Sequence, residues 1–185
     1  TQIGALNPDE ISGLTTTTLA SFYKPQIAGL TYTQLGALTT AQIGALRTTQ
    51  VAAIGADAIA GLNETQIDTL TTTQISALTA TQVAAMETED VADLNVTQIA
   101  VFSTTQLTSL TTTQIGNLTT TQVQGLTTTQ IGNLTTVQLK GLTTTEMAVL
   151  TSTQLKALTT SQMSALSVTA VSGFTDTQLQ ALKTT

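Results

Sequence analysis

The sequence contains no cysteine, histidine or tryptophan, and charged residues occupy only 9% of its 185 positions. Without cysteine there are no disulfide bonds and no thiolate nucleophiles or metal ligands. Without histidine, general acid–base chemistry would fall to Asp, Glu or Lys, and these residues are thinly spread along the chain. We therefore predict that the protein is not an enzyme and that it has no catalytic, cofactor-binding or metal-binding residues.

Basic residues and long apolar runs are also scarce. The net charge is −6, the pI is near 4.2, and the five basic residues are scattered: Lys24, Arg47, Lys140, Lys156 and Lys183. Nucleic-acid binding requires clustered Lys and Arg, so we predict no nucleic-acid partner. No run of 18 apolar residues is present, which predicts no membrane insertion. The chain begins within a repeat and without Met, so we expect it to be an excerpt of a longer one.

Threonine dominates what is present, at about a quarter of the chain, while 41% of residues are hydrophobic. The mean hydropathy is +0.23. Disordered chains combine low hydrophobicity with high charge, and this chain has neither property. The composition therefore predicts a folded repeat protein with a buried apolar surface.

An eight-residue period runs through the sequence without insertion or deletion, giving 23 octads and a predicted single continuous repeat domain over residues 1–185. We number each octad from its leucine, as in Leu110-Thr-Thr-Thr-Gln-Ile-Gly-Asn117. The first position is Leu, Ile, Met or Phe from Leu6 to Leu182, and the sixth is aliphatic or Met from Ile3 to Leu179. A small residue often closes the octad, as at Ala37, Gly125 and Gly141.

The second and fifth positions together carry a helix-start signature. The second is usually Thr, with Asn or Ser as substitutes, and these residues cap helix N-termini. The fifth is nearly always Gln, with acids at Glu10, Asp90 and Glu146, so the pair forms a capping box. The first and sixth positions match a hydrophobic staple. Pro8 and Pro25 lie where the first helical turn would begin.

These features favour an all-α solenoid, or superhelix, with one short capped helix in each octad. A single long helix is excluded because eight residues make about 2.2 turns, so the apolar positions would drift around the cylinder. A Thr-rich β-solenoid is the alternative, since Thr, Val and Ile favour strands. However, the two apolar positions lie five residues apart, which would place them on opposite faces of a strand.

The repeat resembles the Leu-Thr-Thr-x-Gln-Ile-x-x octapeptide tracts of large bacterial secreted or surface proteins, and this likeness covers the whole chain. The phrase Leu-Thr-x-x-Gln-Ile is also similar to the start of transcription-activator-like effector repeats. That second likeness covers eight residues of a repeat about four times longer. The second helix and the base-reading loop are absent here, so the resemblance does not imply DNA recognition.

The remaining polar residues fit a structural interpretation better than a functional one. The acidic cluster of Glu87, Glu89, Asp90 and Asp93 has oxygen ligands suited to Ca²⁺, but no calcium-loop spacing is present. We interpret Glu87 as the helix cap, Asp90 as the capping-box residue and Glu89 as a solvated residue of the first turn. Lys140 and Lys156 share an octad position that we predict to be exposed. The three phenylalanines replace the core leucine and are predicted to be buried: Phe22, Phe102 and Phe174. Asn-x-Thr sequons at Asn63, Asn95, Asn117 and Asn133 follow from the period itself.

The sequence predicts a structural function: a rigid stalk or filament-forming segment of an exported bacterial, adhesin-like surface protein. The alternative is a binding module whose Thr-rich face recognises ice or a polysaccharide. We expect an extracellular or cell-surface location. Solenoids usually carry polar capping repeats at their ends, whereas the first and last octads here are as apolar as the middle ones. We therefore expect either end-to-end self-association or continuation of the same chain.

Overall fold

A computed structural model describes residues 2–183 and, within that range, contains helices and no strands. This confirms the all-α solenoid and does not support the β-solenoid alternative. The chain opens with a 3₁₀ turn at Gln2–Ala5, and 22 α-helices follow among the described residues. Their bounds are, from α1 to α22, Pro8–Ser12, Thr16–Ser21, Lys24–Ile27, Tyr32–Gly36, Thr40–Ala45, Thr48–Val51, Ala56–Ile59, Glu64–Thr69, Thr72–Ala77, Ala80–Ala85, Thr88–Asp93, Val96–Ala100, Thr104–Ser109, Thr112–Gly116, Thr120–Gly125, Thr128–Asn133, Thr136–Leu139, Thr144–Val149, Ser152–Lys156, Thr160–Ala165, Val168–Ser172 and Asp176–Lys183.

Each helix ends because its octad is followed by two residues in extended conformation. Between α9 and α10, Leu78 has φ −59° and ψ 138°, and Thr79 has φ −77° and ψ 159°. Extended backbone cannot continue the i→i−4 hydrogen bonds of a helix, so the chain changes direction at every Leu-Thr pair. No described residue has a positive φ, and the turns therefore do not depend on glycine.

The helices are too short to be stable alone and are held by packing against helices of neighbouring coil turns. Each helix contacts the third helix along the chain, as in α2 with α5 and α5 with α8, or α13 with α16 and α16 with α19. One coil turn thus contains three octads. The sixth-position side chains form the centre of the coil, and Ile67, Ile99 and Ile131 have no exposed surface.

The described residues form two compact units, one ending at Leu94 and the other beginning at Asn95. In the first unit the core runs from Ile3 to Leu94, and in the second from Ile99 to Phe174. The same octad pattern builds both. The prediction that residues 1–185 form one continuous domain stays a prediction, and residues 1, 184 and 185 lie outside the described part.

Among the described residues, no helix is both long enough and apolar enough to cross a lipid bilayer. The longest, α22, has eight residues.

Candidate functional site: a buried glutamine ladder

Most helices begin with a reciprocal pair of hydrogen bonds between the second and fifth octad positions. In the octad of Leu126, the Gln130 N–H donates to Thr127 Oγ1 at 3.1 Å, and the Thr127 N–H donates to Gln130 Oε1 at 2.8 Å. The staple residues on either side, Leu126 and Ile131, are buried. The capping box predicted from the sequence is therefore present, and it satisfies two amide groups that a short helix leaves unpaired.

In three helices, α3, α6 and α11, only the bond accepted by the fifth-position side chain is present. The second-position side chains of Tyr23, Arg47 and Glu87 accept no hydrogen bond from the helix. Their backbone N–H groups still donate to the fifth-position side chain, at 2.9 Å for Tyr23 and Arg47 and 3.0 Å for Glu87. The fifth position therefore holds the helix start even where the cap residue is unsuitable.

The glutamine carboxamide has a second function, which the capping interpretation does not include. Gln130 Nε2 donates to the carbonyls of Ile99 at 3.0 Å, Ala100 at 3.3 Å and Phe102 at 3.0 Å, all in the preceding coil turn. Gln130 is buried, and so are its bonds to the carbonyl oxygens of Ile99 and Phe102, which lie 31 and 28 residues earlier in the chain. One side chain thus closes a helix start and joins two turns of the coil.

We call this set of residues the glutamine ladder. Every member donates from Nε2 to the sixth-position carbonyl 31 residues earlier and to the first-position carbonyl 28 residues earlier. The members in the first unit are Gln34, Gln42, Gln50, Gln66, Gln74 and Gln82. Those in the second unit are Gln130, Gln138, Gln154, Gln162 and Gln178.

The chemistry of the site explains why glutamine is preferred over glutamate. A capping box needs only an acceptor, and either side chain supplies one. The ladder also needs an N–H donor at the same place, and only the carboxamide offers an acceptor and donors together. The sequence contained a signal for the ladder, because the fifth octad position, on the buried side of the helix, holds Gln far more often than Glu.

Of the three acids at the fifth position, Glu10 is exposed, whereas Asp90 and Glu146 are buried, and burial is the main influence on the pKa of both. Burial raises the pKa of Asp90 from 3.8 to about 6; the Glu87 N–H opposes this shift, while nearby Glu87, Asp93 and Glu89 add to it. Burial also raises the pKa of Glu146 above 4.5, against the hydrogen bonds from Thr143. The ladder register places the carbonyls of Ile115 and Leu118 opposite Glu146. An ionised carboxylate has no hydrogen to donate to these carbonyl oxygens.

Two further octads lack a polar side chain at the fifth position. Ala58 in the first unit and Ala170 in the second are buried where a ladder glutamine would stand. Beside Ala58 lies an open cavity of about 420 Å³, lined by Ala28, Leu30, Thr31, Tyr32 and residues 55–58.

Close backbone contact between turns explains the small residues near the end of the octad. A Cβ atom on Gly116 would lie 2.6 Å from the Gly141 carbonyl oxygen, and one on Gly141 would lie 2.5 Å from the Thr112 oxygen. These glycines allow α14 and α17 to approach each other, which a larger residue would prevent.

The structure places the other residues selected from the sequence as follows. Lys140 and Lys156 are exposed, as are the caps Glu87 and Asn63. Phe102 and Phe174 are buried, but Phe22 is only half-buried, which corrects the prediction that all three are buried. Phe22 belongs to the first coil turn, where no earlier octad in this chain packs over the first position. No group of three or more acidic residues among the described positions is arranged to hold a metal ion.

A protein-family model described as "ALTTAQ repeat" matches residues 27–64, 83–120, 109–136 and 131–168, together more than half of the chain. The six letters of that description stand at residues 37–42, from the end of one octad to the glutamine of the next. The chain belongs to the ALTTAQ repeat family. In structural terms, this phrase of the ALTTAQ repeat contains the closing small residue, the staple leucine, the cap and the ladder glutamine. No curated protein matches the chain.

Proposed function

We propose that this ALTTAQ repeat chain is a structural element, a stiff spacer or filament-forming segment, and not an enzyme. The observation that carries the proposal is the glutamine ladder, which joins coil turns through buried hydrogen bonds rather than through apolar contacts alone. Hydrogen bonds are directional, and a buried donor or acceptor left unpaired costs about 1–3 kcal/mol. A coil joined in this way resists bending and sliding of one turn over the next.

We further propose that the segment belongs to an exported bacterial surface protein of the adhesin-like kind, and that it acts outside the cell. Support comes from the likeness to octapeptide tracts of such proteins and from a surface rich in neutral Thr. Expression in a bacterium of the full gene with an epitope next to residues 1–185 tests this location. Labelling of the epitope on intact cells is the expected result, and labelling only after lysis contradicts it.

We propose end-to-end association of this chain for the same structural purpose. Val171 and Leu179 occupy the sixth octad position, which is buried in the middle of each unit, yet they are 41% and 40% exposed. Large apolar side chains that are exposed at an otherwise buried octad position favour association with another coil turn, which would bury them. The turn could come from a second copy or from more of the same chain.

Light scattering and negative-stain microscopy of the 185-residue protein test the filament proposal. Rods that lengthen with concentration are expected, and the double variant Val171→Lys, Leu179→Lys should remain monomeric. The matched control is Val137→Lys, because Val137 is also exposed but lies at the fourth octad position. A wild-type protein that stays monomeric at high concentration contradicts the proposal.

A second candidate function is recognition of an ordered surface, ice or a polysaccharide, by the exposed Thr residues. The favouring observation is that the second, third and fourth positions between residues 104 and 136 are mostly exposed threonines, with no charge among them. A thermal-hysteresis assay and binding to insoluble polysaccharides distinguish the two. Activity in either assay that is lost on replacing these threonines by lysine favours the second candidate, whereas a spacer shows no activity.

A further inference from the structure

The glutamine ladder is interrupted in the first unit at Ala58, where the octad reads Ile54-Gly-Ala-Asp-Ala-Ile-Ala-Gly61. Both polar positions of the helix start have changed, because Gly55 replaces the cap and Ala58 replaces the glutamine. The helix itself persists as α7, with its N–H groups of Ala58 and Ile59 bonded to the Gly55 carbonyl at 3.0 and 3.1 Å. The substitution therefore removes side-chain atoms without removing the local fold.

The removed atoms leave a cavity where the carboxamide stands in the other octads. A glutamine at position 58 would reach Ile27, Ala28 and Leu30, since ladder members bond to residues 31, 30 and 28 positions earlier. Ala28, Leu30, Gly55 and Ala58 all line the cavity of about 420 Å³. Its mouth is formed by the exposed residues Thr31, Tyr32 and Asp57.

The cavity contains hydrogen-bonding groups that elsewhere are joined by glutamine. Among the described residues, the Leu30 carbonyl accepts no hydrogen bond, and the Gly55 N–H donates none. In the intact octads, the matching carbonyl receives Nε2 and the matching N–H is bonded to Oε1, as for Gln74 with Leu46 at 2.8 Å and with Thr71 at 2.9 Å. An acceptor and a donor therefore line the same cavity, at the octad positions that one carboxamide bridges in the intact octads.

We propose that this cavity binds a primary carboxamide, carried by a small molecule or by a Gln or Asn side chain of a peptide. The NH₂ group of the ligand donates to the Leu30 carbonyl, and its oxygen accepts from the Gly55 N–H. The Gly55 donor disfavours guanidinium and ammonium ions, which have no acceptor. Asp57 at the mouth and the Leu30 oxygen disfavour carboxylates. A tertiary amide lacks the N–H that Leu30 requires.

The cavity size agrees with this ligand class. Acetamide corresponds to the part of a glutamine side chain beyond Cβ, and Ala58 already supplies the Cβ atom. A volume of about 420 Å³ exceeds that of acetamide and falls within the range of about 300–1,000 Å³ usual for ligand sites. A carboxamide on a larger molecule therefore fits, with its remaining atoms at the mouth beside Tyr32.

Acetamide is the first probe, followed by NMR of the backbone amides of the whole chain. We expect saturable shifts of the Gly55 and Ala58 amide signals, with N,N-dimethylacetamide, acetate and guanidinium giving at least tenfold weaker responses. The control variant Ala58→Gln restores the family residue, and its own carboxamide should occupy the cavity and abolish the acetamide response. The circular-dichroism spectrum of this variant establishes that it is folded.

Two tripeptides distinguish the sources of the carboxamide. Gly-Gln-Gly binding at least tenfold tighter than acetamide, with Gly-Glu-Gly not binding, indicates a peptide partner, and comparable affinities indicate a small amide. Either result supports the proposal. It is overturned if acetamide gives no saturable shift, if the Ala58→Gln variant responds equally, or if guanidinium binds better than acetamide. None of these results depends on whether the protein forms filaments or lies at the cell surface.

Discussion

At the scale of single residues, the fifth octad position decides how each coil turn is joined to the one before it. From Gln34 onward the position is always buried but varies in identity: it holds Gln in most octads, an acid at Asp90 and Glu146, and Ala at Ala58 and Ala170. Because the same backbone groups surround each of these side chains, differences in stability between variants report the side-chain chemistry itself.

The acids at this position make stability depend on pH. A carboxyl group whose folded pKa is raised binds more protons in the folded state than in the unfolded one, so the free energy of unfolding falls as pH rises. For Asp90 the fall lies between about pH 4 and pH 6, and for Glu146 it begins near pH 4.5. The stability contributed by these two groups is therefore greatest below about pH 4 and is lost as the pH rises.

We expect Glu146→Gln to raise the free energy of unfolding at pH 7 by about 1–2 kcal/mol, since the new carboxamide provides the donor that an ionised Glu146 lacks. The gain should shrink towards pH 4, where Glu146 is protonated. Urea denaturation at pH 4 and pH 7 measures both values. The control Glu89→Gln changes an exposed acid and should have little effect, and an equal gain at both pH values would contradict the argument.

The seventh octad position provides a second test at residue scale. A Cβ atom on Gly44 would meet only the Thr69 methyl group at 3.4 Å, whereas one on Gly116 would lie 2.6 Å from a backbone oxygen. We expect Gly44→Ala to be neutral or to stabilise by up to about 1 kcal/mol through helix propensity. Gly116→Ala should destabilise by about 1–3 kcal/mol because the backbones of two coil turns must separate. Thermal denaturation of the pair measures the difference, and similar shifts would contradict it.

At the scale of the element, each helix has one buried side, formed by its fifth and sixth positions with the preceding leucine, and one exposed side, formed by its second to fourth positions. Leu126 is buried and Thr128 is exposed. The helix survives because the buried side is covered by neighbouring turns, while its short length gives it little stability of its own.

We therefore expect Leu126→Asp and Thr128→Asp to differ strongly. The first buries an unpaired charge and should lower the free energy of unfolding by about 3–5 kcal/mol. The second adds a negative charge to the first turn of α16, near its positive dipole end, and should change stability by no more than about 0.5 kcal/mol. Chemical denaturation followed by circular dichroism at 222 nm measures both. Comparable losses would show that the inside and outside of the octad have been exchanged.

At the scale of the whole molecule, stability is local, because the described helices contact others about three octads away. In such coils each turn depends on its neighbours, so protection should vary with how completely a turn is covered. The sixth position offers a matched comparison. The Ile131 and Val171 N–H groups make the same bond, to Thr127 and Ser167 at 3.0 Å, but Ile131 is fully buried and Val171 is 41% exposed.

We expect the Val171 amide to exchange with deuterium at least tenfold faster than the Ile131 amide. Both bonds have the same length and the same octad position, so the difference measures coverage by adjoining turns. Native-state hydrogen exchange by NMR gives the two rates. If the rates are equal in the monomeric protein, stability is distributed over the whole chain and the nearest-neighbour description is wrong.

The sequence alone determined the helix starts, because a capping box and a staple are built from residues within six positions of one another. For the same reason it determined the all-α class, and the buried first and sixth positions followed from their spacing. The exceptions lie in the first and last octads, as at Phe22, Val171 and Leu179, because burial there depends on a neighbouring turn and not on the octad itself.

Only the tertiary structure decided how many octads make a turn and what the glutamines do beyond capping. A period of eight fixes the local geometry of one octad, but the angle between successive helices is set by packing between residues about 24 to 31 positions apart. The bonds from Gln130 to Ile99 and Phe102, the close approach of Gly116 to Gly141 and the cavity beside Ala58 all arise from that packing. They join octads whose separation along the chain cannot be read from any single repeat.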